Sequence, residues 1–161
     1  MQKVVEGINY WIKRLPEEFK SMSENSSSHR PMPNKWSKKE ILGHLCDSAI
    51  NNIERFIKIQ YEEPVYAIQS YDQDHWVKMQ NYQDRPLDDI IDLYQALHKQ
   101  MVHIVKNVPH EKLSYLCDIG NNQHKTLEWL IQDYLEHMEH HIHSQILLKE
   151  KTHIKIYMLY L

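Results

Sequence analysis

The chain has 161 residues and a formal charge of -3, with only 3 glycines but 12 histidines. It is long enough to bury the apolar core of one domain, and the lack of any basic block excludes the electrostatic footprint of a nucleic-acid-binding protein. No stretch approaches the roughly 18 consecutive apolar residues of a bilayer-spanning helix and no charged-then-apolar leader is visible; the expectation is a soluble cytoplasmic protein without nucleic-acid or membrane partners.

Scarce glycine beside abundant Leu, Ile, Lys, Glu and Gln favours an all-α domain. Val4, Val5, Ile8, Trp11, Ile12, Leu15 and Phe19 recur every three or four positions and predict a first amphipathic helix from Val4 to Met22, kinked or divided at Pro16. The polar, proline-bearing stretch that follows reads as a loop. Ser37 stands three residues before Glu40, a capping-box spacing, and opens a second helix with Ile41, Leu45, Ala49, Ile53 and Phe56 on one side, running to about Gln60. Residues 63–86 form a long connection with a short helical turn around Asp74 to Met79.

A third helix starts near Pro86 and ends before Pro109, carrying Leu87, Ile90, Ile91, Leu93, Leu97, Met101 and Ile104. After a loop containing Gly120-Asn121-Asn122, Thr126 can cap a fourth helix reaching about Lys149, with Leu127, Leu130, Ile131, Tyr134, Met138 and Ile142 on its core side. The domain is therefore placed at 1–150, followed by an apolar tail at 151–161 whose role the sequence leaves open. Cys46 and Cys117 are far apart and form no CxxC pair, which favours reduced thiols.

The histidines carry the chemical information. At about 100° per residue, His137 and His141 lie about 40° apart on one helix face, so both imidazoles can address one ion. His44 is the natural third donor. It borders the apolar arc of the second helix in a strip with Asp47, Ser48, Asn51 and Arg55, and the polar edges of the two helices can meet across the bundle. Three neutral imidazoles suit Zn²⁺, Ni²⁺ or a related first-row ion and leave positions for water or substrate. Hydrolysis and thiol transfer are the reactions such an ion opens.

Asp47, Asn51 and Asp133 can orient ligating rings, against the plainer role of surface solvation or helix-helix hydrogen bonding. His140 and His143 project away from the shared face. They and His29, His98, His103, His110, His124 and His153 are expected in solvent or behind the ligands, while His75 sits in an unplaced loop. ExxH pairs and HExxH are both absent, so neither a carboxylate di-iron centre nor a zinc protease is supported.

Lys35-Trp36-Ser37-Lys38-Lys39-Glu40-Ile41-Leu42-Gly43-His44-Leu45, followed by Asp47-Ser48-Ala49-Ile50-Asn51-Asn52 and Arg55-Phe56, resembles the DinB-like superfamily. Tyr71-Asp72-Gln73-Asp74-His75-Trp76-Val77 looks like the middle loop of one of its branches, and Glu128-Trp129-Leu130 through His137-Met138-Glu139-His140-His141 like its closing helix. The resemblance implies a four-helix bundle, often a homodimer, with a long loop between helices two and three. It implies one divalent ion on His44, His137 and His141. A family pattern often places Gln three residues after the last ligand, whereas Gln145 follows His141 by four.

Relatives with known activity include metal-dependent thiol S-transferases and a thiol-dependent isomerase. The expectation is then a metal-dependent enzyme acting on a small molecule, of thiol S-transferase or hydrolase type, with a low-molecular-weight thiol as a possible partner and Asn51, Arg55, Gln73 and Trp76 as pocket residues. Two other readings stand beside it: a non-catalytic metal-binding or stress-response module, and a helical interaction domain without metal.

Overall fold

The structure, a computed structural model, describes residues 1–148; the apolar tail at 151–161 lies outside the described residues. In chain order the helices are α1 (Gln2–Lys20), α2 (Glu24–Ser28), α3 (Lys38–Lys58), α4 (Gln73–Met79), α5 (Leu87–Asn107) and α6 (Leu127–His141). The four long ones make the expected all-α bundle. Both α1 and α3 pack on α5 and α6, so α3 and α6 are neighbours on one side. The core lies where their apolar faces meet: Ile8, Leu15 and Phe19 from α1, Leu42, Leu45 and Phe56 from α3, Ile90, Tyr94 and Met101 from α5, and Leu127, Ile131 and Met138 from α6.

Pro16 neither divides nor ends α1. A proline offers no amide hydrogen to the carbonyl four residues back, and that carbonyl, on Ile12, accepts instead from Gln95 Nε2 of α5 at 3.0 Å. The start of α3 follows the expected capping box: Ser37 Oγ accepts from the Glu40 amide at 3.2 Å and Glu40 Oε2 accepts from the Ser37 amide at 2.9 Å. Thr126 caps α6 through the Trp129 amide at 3.1 Å.

Three features depart from the sequence expectation. The stretch expected as loop after α1 contains α2, capped by Ser23 and tied to α3 through Glu24–Lys39 and Arg30–Glu40 ion pairs. A small sheet closes one end of the bundle: β1 (Tyr66–Ala67) runs parallel to β2 (Leu116–Asp118), which pairs antiparallel with β3 (His124–Thr126). The turn between β2 and β3 uses left-handed backbone at Gly120, Asn121 and Asn122, residue types that tolerate it.

The third departure is at the end of the bundle. The α-helical path stops at His141 and continues as a π turn over Ile142–Ile146, rather than as α-helix to about Lys149. Ser144 Oγ donates to the His140 carbonyl at 2.6 Å, competing for the acceptor an α-helix would use, and the Leu147 amide reaches the Ile142 carbonyl at 2.9 Å. No helix among the described residues is long and apolar enough to cross a membrane.

Candidate metal centre

His44 projects from α3 into the seam with α6 and is wholly buried. His137 and His141 meet it there from successive turns of α6. Ring centroids are 5.8 Å apart for His44 and His137, 4.8 Å for His44 and His141, and 4.5 Å for His137 and His141. One donor atom from each lies within 4.8 Å of the others, and the Nε2 atoms of His137 and His141 are 3.0 Å apart. Gln145 Oε1 sits 2.6 Å from His141 Nδ1.

Neither ring nitrogen of His44 has a hydrogen-bond partner, although both are buried. A buried polar atom left unsatisfied costs about 1–3 kcal/mol, so the pair is an unmet demand at the centre of the site. Burial holds the His44 ring well below the ordinary imidazole range, helped by the nearby His141 and His137. Burial likewise takes His137 down to about 3, and it lowers His141 against the opposing bond to Gln145. All three rings are therefore neutral at pH 7 and carry a lone pair, the form that binds a metal. Three imidazoles on two rigid helices, with unmet nitrogens between them, fit a divalent ion.

Trp36 packs over His44 with centroids 5.0 Å apart, a placement that no periodicity in the sequence signals. On its outer side lies a cleft of about 1020 Å³, whose wall includes Asn25 and Ser26 of α2, Lys35, Lys38, Tyr71, Asp72, Gln73 and Asp74, and then His141, Ser144 and Gln145. The triad thus meets the cleft through His141. Of the residues expected in a pocket, Gln73 lines this cleft, while Trp76 stands behind it with its ring edge-on to Tyr71 at 5.3 Å.

Asp47, Asn51 and Arg55 bond elsewhere, although Asp47 Oδ2 is buried without a partner. Asp47 Oδ1 accepts from the Tyr82 hydroxyl at 2.7 Å and from Gln80 Nε2 at 3.5 Å. Burial raises its carboxyl to about 6 against those two bonds. Tyr82 lies across Gly43, where a Cβ would collide with the ring, so Gly43 and Asp47 together dock residues 80–82 against α3. Asn51 Nδ2 donates to the Asp47 carbonyl at 2.8 Å, and the buried Arg55 donates to the Gln69 carbonyl at 2.6 Å. Asp133 is half-buried and raised to about 6, chiefly by burial. Among the described residues no hydrogen bond joins Asp47, Asn51 or Asp133 to the three imidazoles.

His98, expected in solvent or behind the ligands, is instead wholly buried in the core on α5, between the Tyr94 carbonyl and the Tyr134 hydroxyl. Cys46 is inert: burial raises its thiol, and its Sγ faces the Ile90 carbonyl at 3.9 Å. Cys46 and Cys117 are both free thiols.

A family model described as the DinB superfamily matches residues 11–144. The chain belongs to the DinB superfamily. A Halalkalibacterium halodurans protein named "Putative metal-dependent hydrolase" is 24% identical over 142 residues, covering 84% of this chain and 82% of that protein. A Bacillus cereus protein of the same designation is 24% identical over 143 residues with the same coverage. The solved structure of Bacillus subtilis YfiT, described as a probable metal-dependent hydrolase with an unusual four-helix bundle topology, superposes with a TM-score of 0.79 at 20% identity over 92% of this chain and 88% of YfiT. This DinB chain thus shares the YfiT fold, and its histidine triad lies in the seam between α3 and α6.

Proposed function

We infer that this protein is a metal-dependent enzyme acting on a small molecule, with one divalent ion on His44, His137 and His141 and hydrolysis as its reaction. The observation that carries the reading is His44: a wholly buried, neutral imidazole with both nitrogens unpartnered, facing two further neutral imidazoles. The names of the relatives support it. The donor set favours Zn²⁺ or Ni²⁺, borderline ions that accept several imidazoles.

When bound, such an ion supplies Lewis acidity and makes a water or thiol nucleophilic at neutral pH. The protein's own groups do the rest. Trp36 shields His44 from solvent, and the low-polarity seam keeps all three rings in the donor state. Lys35, Lys38, Asp72 and Asp74 all line the cleft, so substrates bearing both acceptor and donor groups find partners there, and Gln73 adds a neutral amide. The open cleft at His141 favours a substrate site over a metal that only braces the helices.

Metal content measured on tag-free protein tests the site: about one ion per chain is expected in the wild type, with loss in His44→Ala and His137→Ala. Equal metal in all three removes the proposed site. Loaded protein is then offered a panel of esters and amides, and of electrophiles with low-molecular-weight thiols. Thiol consumption without hydrolysis moves the assignment to thiol transfer, and inactivity throughout favours a metal-binding module.

A further inference from the structure

Resting on the metal reading above, we propose that Gln145 is a positioning residue that fixes His141 with its proton on Nδ1, leaving Nε2 as a lone pair turned towards His137. The sequence carries no chelating role for Gln145; the assignment comes from where its side chain lies. Its Oε1 is 2.6 Å from His141 Nδ1, while His141 Nε2 is 3.0 Å from His137 Nε2. A carbonyl oxygen only accepts, so the first contact requires the hydrogen on Nδ1. His141 Nε2 is then unprotonated, and the second contact requires His137 to donate from its own Nε2.

The opposite amide orientation meets the same two distances, with His141 Nε2–H donating to His137, but it does not suit an ion at that edge. With the NH₂ group of Gln145 turned to Nδ1, the His141 proton would move to Nε2, withdrawing the lone pair from the very edge that faces the other two rings. A metal-ligating histidine is held in its tautomer by an acceptor on the far nitrogen, and in this triad Gln145 offers that acceptor to His141. His44 has no such partner on either nitrogen.

Local structure explains how Gln145 gets there. It rides on the π turn Ile142–Ile146, where Ser144 Oγ has taken the His140 carbonyl. Four residues from His141, its side chain stacks over the same helix edge. Gln145 is exposed, with water available as an alternative partner, so its bond to the imidazole is not forced by burial. Gln145 and His141 also share the cleft wall, placing this bond where a ligand enters.

The consequence is an asymmetric triad. In metal-free protein His141 carries its proton on Nδ1 and His137 on Nε2. An ion held by both Nε2 atoms would require the His137 proton on Nδ1 and would leave the His141 tautomer unchanged.

Long-range ¹H–¹⁵N spectra of the histidine rings read this directly in metal-stripped wild type, Gln145→Ala and Gln145→Glu, with His141 assigned from its loss in His141→Gln. The expected pattern is a fixed Nδ1–H on His141 in wild type and Gln145→Glu, and a mixture in Gln145→Ala. Zn²⁺ titration is expected to show binding about 10- to 100-fold weaker in Gln145→Ala, with recovery in Gln145→Glu. An unchanged His141 tautomer and unchanged Zn²⁺ affinity in Gln145→Ala overturn the proposal. A wild type that shows the tautomer pattern, loses it in Gln145→Ala, and takes up no Zn²⁺ supports the positioning role and overturns the metal reading.

Discussion

His98 and His44 are both wholly buried histidines, and their surroundings separate a core residue from a candidate ligand. His98 Nδ1 lies 2.8 Å from the Tyr94 carbonyl, to which it donates, so Nε2 accepts from the Tyr134 hydroxyl, also at 2.8 Å. Both nitrogens are satisfied. His44 has neither satisfied, and spacing alone reveals no such difference: it picks His44 for its place beside an apolar arc but misplaces His98, whose partners come from its own preceding turn and from α6. Burial depresses the His98 ring to about 4, with the Tyr94 bond opposing it. The native value lies below the ordinary value of about 6.5, so the native state binds fewer protons than the unfolded chain across that interval. The stabilisation is therefore complete above about pH 6.5 and lost as pH falls through about 4. From pH 7.5 to pH 5 this one ring should remove about 2 kcal/mol of stability. Urea unfolding of metal-stripped wild type and His98→Gln at both pH values isolates the effect, because the other buried histidines contribute to both proteins. Parallel pH slopes would show that His98 is not the group responsible.

At the scale of elements, the long helices were legible because each repeats an apolar position many times, and their caps at Ser37 and Thr126 are local chemistry. Strands of two or three residues and the five-residue α2 contain too few positions to display a period. The π turn coincides with Ser144 bonding back to the His140 carbonyl, which composition does not announce. Pro16 is the instructive case, since its effect on α1 is decided on α5. The Ile12 carbonyl is tied to Gln95, and Gln95→Ala should leave it unsatisfied at a cost of about 1–3 kcal/mol. In a Pro16→Ala background the new amide at position 16 can reach that carbonyl, so the same change at Gln95 should cost less than about 1 kcal/mol. A double-mutant cycle in urea measures the coupling. Additive costs would mean that the Gln95 bond is not compensating for the proline.

For the whole molecule, the triad brings candidate metal donors together from two helices far apart in sequence. The unfolded chain does not hold His44 near His137 and His141, so an ion bound there stabilises the native state by mass action. At free metal about a thousandfold above Kd the gain is about 4 kcal/mol. For a domain of this length each kcal/mol moves Tm by about 2–4 °C, and chelation should therefore lower Tm by about 8–16 °C. His44→Ala should melt at the same temperature with or without chelator. The comparison also tests the unmet nitrogens of His44: in metal-free wild type they remain a cost that the alanine variant lacks, so the loss from truncating this core side chain should be smaller without metal than with it. Both proteins melting alike in metal and in chelator would mean that the seam between α3 and α6 is held by packing alone, and the cluster of neutral imidazoles would need another explanation.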